Sequence, residues 1–140
     1  DHCNTEELDK RIENFLDQEL PDRPTADISV ALKVADFMEA KGYSFLIESN
    51  VKNDPAYLDE AIKYINMAIK SNYKFYSGYY NLGLCYGLKN DVDNAIYNFK
   101  QAIRYNSRFV AAYQKLAEVY DHAGNTEQAN LVRAQLNRIQ

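Results

Sequence analysis

Apolar residues return at intervals of three and four along most of this chain, the spacing that lines one face of an α-helix. Tyr79, Leu82, Gly83 and Tyr86 form one such stripe, and Ala95, Phe99 and Ala102 form a second, with Asn90-Asp91 breaking the rhythm between them. Asn and Asp favour turns because their side chains bond nearby backbone groups. Two amphipathic helices are therefore predicted, about 76–89 and 92–106, packed antiparallel. Gly83 and Ala95 lack bulk where the two helices must approach, while Tyr79, Tyr86 and Phe99 fill the space on either side.

The same order of residues comes back downstream. Tyr113, Leu116, Ala117, Tyr120 and Ala129 follow Tyr79, Leu82, Gly83, Tyr86 and Ala95 at a constant interval of thirty-four. A period of this length belongs to stacked helical repeats, whose common use is binding. After its first helix this later unit turns at Ala123-Gly124-Asn125, and its second helix carries Asn130, Arg133 and Asn137 on a polar outer side. A terminal repeat has no neighbour to cover it, so it reads as the C-terminal end of the array.

Upstream, Ala61, Ile65 and Ala68 precede Ala95, Phe99 and Ala102 by the same thirty-four residues, so 57–71 is predicted to be the second helix of an earlier unit. Its first helix is displaced. Strict register puts Phe45, Glu48, Ser49 and Lys52 at the key positions, a poor fit. A slide of seven residues places Met38, Gly42 and Phe45 there instead, with Ala31, Val34 and Ala35 extending the stripe. The preferred reading is a lengthened first helix and an expanded polar loop from Ser49 to Asp54, marked by Pro55.

The run Tyr79, Leu82-Gly83, Tyr86, Ala95, Phe99, Ala102 closely resembles the tetratricopeptide repeat, with Tyr79 in place of the commoner Trp and Ser107 in place of the usual Pro. The resemblance implies an all-α fold, a right-handed α-solenoid of antiparallel helix pairs, here with an extra N-terminal helix. The expected organisation is an acidic N-terminal segment at 1–25 and a solenoid at 26–140, divided into units at 26–75, 76–109 and 110–140. The family lines its concave surface with the first helix of each pair. Carried onto this chain, the groove positions are Ser77, Tyr80, Asn81, Leu84 and Leu88, then Ala111, Gln114, Lys115, Glu118 and His122, with Asp121 beside them. In the displaced register the first unit contributes Asp36, Glu39, Tyr43, Leu46 and Ile47.

Some family members clamp a peptide carboxylate with Lys and Arg around a central Asn. Asn81 matches that Asn and Lys115 could replace the Arg, but Ala111 and Glu39 or Leu46 stand where cations are needed. Losing them removes the charge-assisted bonds of such a site. The resemblance thus points to a noncatalytic adaptor or scaffold that binds a basic or apolar protein segment. Tyr43, Tyr80, Leu84 and Leu88 would be its anchors, with Glu118 and Asp121 favouring positive charge. Tyr80 and Leu84 read equally as packing residues. The alternative is a structural subunit acting mainly by homo-oligomerisation, through Leu8, Ile12, Phe15 and Leu16 or through Val132, Leu136 and Ile139.

Charge is unevenly placed. Residues 1–25 hold eight acids against three bases, in a chain whose net charge is −4. Asn4 and Glu7 have capping-box spacing, and Leu8, Ile12, Phe15, Leu16 and Leu20 share a face until Pro21 and Pro24. Thr25 with Asp27 could start the following helix. The acidic helix could cap the solenoid, lie in its groove or mediate assembly. The bases beyond it are dispersed among acids, which argues against nucleic acid, and an acidic polar face argues against anionic lipid. No apolar run approaches the length of a membrane span.

Little in the chain suggests chemistry. His2 and His122 are the two histidines, and Asp121-His122 are adjacent on a helix, so they point in different directions rather than forming an acid–base pair. Asp1-His2-Cys3 lacks partners for a closed metal site. Asp91, Asp93 and Asn94 lack a calcium-loop framework. No enzyme activity, cofactor or metal is expected. Cys3 and Cys85 are expected as free thiols, and such sparse cysteine favours the cytoplasm, whereas the absence of an initiating Met fits a processed, exported or periplasmic form.

Overall fold

The structure is a computed structural model that describes residues 7, 9–12, 28–72 and 74–140. Among these residues the chain is helix and turn without strand. Within residues 28–140 the described helices are α1 (Ile28–Lys52), α2 (Ala56–Ser71), α3 (Tyr76–Leu88), α4 (Val92–Tyr105), α5 (Val110–His122) and α6 (Thr126–Ile139). They pack as consecutive antiparallel hairpins, α1 with α2, α3 with α4 and α5 with α6, and α1 also reaches α3. This is the all-α solenoid that the periodicity predicts.

Each hairpin turns at a residue with positive φ: Asn53, Asn90 and Gly124. Asn and Gly tolerate the left-handed region best, and a helix ends there when the next amide folds back onto its last turn. Two of these turns do so identically. Asp91 donates its amide to the Tyr86 carbonyl at 2.9 Å, and Asn125 to the Tyr120 carbonyl at 2.8 Å. Both residues then cap the following helix, Asp91 accepting from the Asn94 amide and Asn125 from that of Gln128.

Gly42 and Gly83 explain the closeness of the first two hairpins. A Cβ at Gly83 would lie 2.6 Å from the Phe99 ring, and one at Gly42 would lie 2.5 Å from Cγ1 of Ile65. Phe99 and Ile65 are fully buried and thirty-four residues apart. Gly42 therefore occupies in α1 the place of Gly83 in α3, and the displaced register is correct.

The expanded loop is not formed. Instead α1 continues to Lys52, leaving only Asn53, Asp54 and Pro55 as the turn. The physical reason is that the stripe keeps its helical spacing beyond Gly42, so Leu46 and Ser49 are buried on the face begun by Ala35, Met38 and Gly42. Leu46 joins Leu58, Ala61, Ile65, Leu82 and Cys85 in the central cluster.

At the C-terminal end, Phe99, Tyr113, Leu116, Tyr120 and Val132 form a second cluster, with Leu136 and Ile139 packed against it. Of the residues offered for pairing with another protomer, Val132 is buried in its own core, and Leu136 and Ile139 are half-buried against it.

The acidic segment is described only at Glu7 and residues 9–12, which are helical. Ile12 packs with Ala35, Met38, Tyr64, Met67 and Ala68. Asp9 is buried and accepts from Lys41 Nζ at 2.7 Å and from the Tyr64 hydroxyl. This part of the segment thus lies on α1 and α2, as a cap would. The expectations for Asn4, Leu8, Phe15, Leu16, Leu20, Pro21, Pro24, Thr25 and Asp27 fall outside the described residues.

Candidate functional site

Helices α1, α3 and α5 are the first members of their hairpins, and residues of all three line one cavity. Between them lies a cavity of about 360 Å³, lined by Tyr43, Leu46, Ile47 and Asn50 of α1, Gly83, Leu84, Gly87 and Leu88 of α3, Phe99 of α4, and Lys115, Glu118 and Val119 of α5. Tyr43, Ile47 and Leu88 are about half exposed, so apolar surface meets solvent here. Side chains three and four apart share a helix face, which is why single stripes from each helix converge.

Seven of the predicted groove residues, Tyr43, Leu46, Ile47, Leu84, Leu88, Lys115 and Glu118, meet at this cavity. Leu46 is buried and contributes to its floor rather than to an open rim. His122 is exposed and lines an adjoining cavity of about 340 Å³ with Gly87, Asn90, Val92, Ala95, Glu118 and Val119. The other predicted positions are placed differently. Tyr80 packs edge-on against Phe109 at 5.0 Å between ring centres and against Phe99 at 5.7 Å. Its burial raises the phenol above its ordinary pKa. Ser77 is half-buried and Gln114 exposed, and neither lines the cavity.

The two carboxylates expected to attract a basic partner already have cations. Glu118 accepts from Lys115 Nζ at 3.2 Å, and Asp121 pairs with Arg133 of α6. Asp121 is thereby tied to the last helix rather than to the groove wall.

Asn81 is buried, and its side-chain amide donates to the Glu39 carboxylate. Burial, reinforced by the neighbouring Asp36 charge, holds the Glu39 carboxyl above the usual carboxylate range, opposed by the Asn81 hydrogen bond. Where a carboxylate clamp would need a free Asn among cations, the Asn here is occupied by an acid. A guest carboxylate would meet negative charge.

Asn50, Gly83, Gly87, Phe99 and Val119 belong to the cavity although the groove positions did not include them. On α3 the signal was present in the glycines. Gly83 and Gly87 are one turn apart on α3, and a Cβ on Gly87 would meet nothing within 4 Å. Two missing side chains on successive turns leave a hollow, through which the edge of Phe99 is reached. Among the described residues there is no grouping of three His, Cys, Asp or Glu side chains that could hold a metal ion. Cys85 is free and buried, and burial pushes its thiol up to about 12, leaving no thiolate nucleophile at neutral pH. Among these residues no helix is long and apolar enough to cross a membrane.

Neither a protein-family profile nor a curated protein sequence matches the chain. Solved structures do. A structure titled "Crystal structure of MamA" superposes with a TM-score of 0.69 at 24% identity, covering 99% of this chain and 80% of that one. A mutant of MamA gives 0.59 at 20% identity, covering 98% and 88%. A further "Crystal structure of MamA protein" gives 0.65 at 24% identity, over 93% and 69%. Likeness at these identities carries the fold, and here it extends over nearly the whole chain.

Proposed function

We propose that this chain is a noncatalytic protein-interaction module, an adaptor or scaffold whose concave groove receives a segment of a partner protein. The observation that carries the reading is the cavity shared by α1, α3 and α5, with Tyr43, Ile47, Leu84 and Leu88 offering apolar surface in one concave place. Concave sites with aromatic and aliphatic anchors concentrate binding energy, because a guest side chain there loses its water on several sides at once. Burial in such a pocket is worth roughly 1.5–3 kcal/mol for a Leu- or Phe-sized side chain.

Selecting displayed random peptides on the folded chain, then measuring the selected peptides against Leu88→Glu and Tyr43→Ala, tests this. Both positions are about half exposed, so the variants should fold. The expected result is a loss of affinity of about tenfold or more in each variant. Peptides that bind both variants as well as the parent would remove the groove from the account. Light scattering of the same proteins separates the alternative, since a chain working through homo-oligomerisation would be multimeric without any peptide.

A further inference from the structure

The stripes that line the cavity continue past it. On α1, Tyr43, Ile47 and Asn50 line it, and the same stripe runs back by successive turns to Glu39 and Asp36. On α3, Leu84 and Leu88 line it, and the preceding turn presents Asn81. The hydrogen bond between Asn81 and Glu39 fixes these two stripes side by side at the head of the groove. The groove therefore has an apolar body and an anionic head.

Charge compensation differs along its length. At the α5 wall, Glu118 has Lys115. At the head, Glu39 accepts from the neutral side-chain amide of Asn81, and burial with the neighbouring Asp36 charge holds its carboxyl up against that hydrogen bond. A half-buried carboxylate beside a second acid, served by one neutral donor, is under-compensated, and a cation brought against it would gain more than one at an ordinary surface position. Asp36 is exposed and can share such a cation.

Resting on the reading of the groove as a partner site, we infer that its occupant is a segment of another protein that carries a Lys or Arg at the Glu39 end and an apolar side chain in the cavity. The spacing follows from α1 itself. Glu39 and Tyr43 are four residues apart, about 6 Å along a helix axis. Two side chains on one face of an extended segment, two positions apart with one residue between them, span about 7 Å. An extended basic-x-apolar motif therefore fits the head and body together. This polarity is opposite to that of a carboxylate-clamping groove, although Asn81 stands at the shared central position.

The test uses the full chain and a displayed library of random peptides of about twelve residues. Selected peptides should be enriched in basic-x-apolar motifs. For the best binder, titration calorimetry with parent and Glu39→Gln, against the peptide and its Lys→norleucine or Arg→norleucine form, makes a double-mutant cycle. Gln keeps an oxygen to accept from Asn81, so the fold is retained. The expected result is about tenfold weaker binding from either change alone, little further loss from both, and a parent affinity that falls with added salt. Asp36→Asn should give a smaller loss in the same direction.

Binders that need Leu88 and Tyr43 but show no basic enrichment and no response to Glu39→Gln would overturn the cation site and leave the groove reading standing. Selection of no groove-dependent peptide would overturn both. A chain that selects none but is a dimer dissociated by Glu39→Gln would replace the foreign segment with a second copy.

Discussion

In α3, Gly83 lies against the flat ring of Phe99; in α1, Gly42 lies against the branched side chain of Ile65. The two large residues are thirty-four apart, as the repeat requires, while the two glycines are forty-one apart. The first hairpin thus absorbs seven additional residues without moving the point where its helices touch. It does so by running α1 ten residues past Gly42 to Lys52, where α3 ends five past Gly83, and by starting α2 two residues earlier relative to Ile65 than α4 starts relative to Phe99. What the repeat conserves is the close approach of the paired helices. Helix length beyond that contact is free to vary, provided the stripe keeps its helical spacing. The added residues are not idle, for Asn50 reaches the wall of the cavity.

Removing the large residue from each contact should produce the largest effects. Phe99→Ala should destabilise the chain by about 3–5 kcal/mol and Ile65→Ala by about 2–5 kcal/mol, as lost burial plus an unfilled hole. Urea unfolding followed by circular dichroism measures both. Equal and small losses, below about 1 kcal/mol, would mean that neither contact organises its hairpin.

Filling the glycines comes next, and here the two sites should part. All three nearest atoms to a Cβ at Gly83 belong to the Phe99 ring, whereas at Gly42 the Ala61 carbonyl and the Ile65 amide stand at 3.1 and 3.2 Å behind the Ile65 side chain. Gly83→Ala and Gly42→Ala should each cost about 1–3 kcal/mol from crowding, less the roughly 0.5–1 kcal/mol that Ala gains over Gly within a helix. In a Phe99→Ala background, Gly83→Ala should become neutral or stabilising, because every close atom has gone. In an Ile65→Ala background, Gly42→Ala should be relieved only in part, since main-chain atoms cannot withdraw as a side chain can. Equal relief at the two sites would show that backbone proximity plays no part at Gly42.

Much of this comparison was legible beforehand, and the reasons are local. Tyr79, Leu82, Gly83, Ala95, Phe99 and Ala102 impose their spacing on a hairpin whoever the neighbours are, and the seven-residue slide to Gly42 followed from the same demand for a small residue opposite Ile65. The placement of the extra residues was not legible. Ser49, Asn50, Asn53 and Asp54 suit a polar loop as well as a helix end, and only the packing of the neighbouring Leu46 against Leu58 and Ala61 keeps α1 helical there, with Ser49 buried. The groove was half legible. Stripes could be assigned to one face, but pairings between helices, Asn81 with Glu39 and Asp121 with Arg133, depend on distances that no periodicity contains.

The smallest predicted effect concerns the position three residues before each glycine, Tyr80 in α3 and Glu39 in α1. The repeat has filled this position with a ring in one hairpin and a carboxylate in the other. Tyr80 packs on Phe99 and Phe109, so its partial burial is stabilising. For Glu39, burial and Asp36 together disfavour the charged form and raise its pKa in the folded chain. A raised carboxyl favours folding most when protonated, so that contribution is fully present below the ordinary Glu value of about 4.3 and is lost as pH rises through the higher folded value. Glu39→Gln, which has no charge to lose, should therefore match the parent at acid pH and exceed it at neutral pH. The gain should stay under about 1 kcal/mol, because half of the side chain faces solvent and is screened. Urea midpoints of the two proteins at both pH values check this, and a difference independent of pH would mean that Glu39 bears no electrostatic burden. If the groove takes a basic segment, the same substitution that steadies the fold weakens the partner, which is the sign of a residue kept for binding rather than for stability.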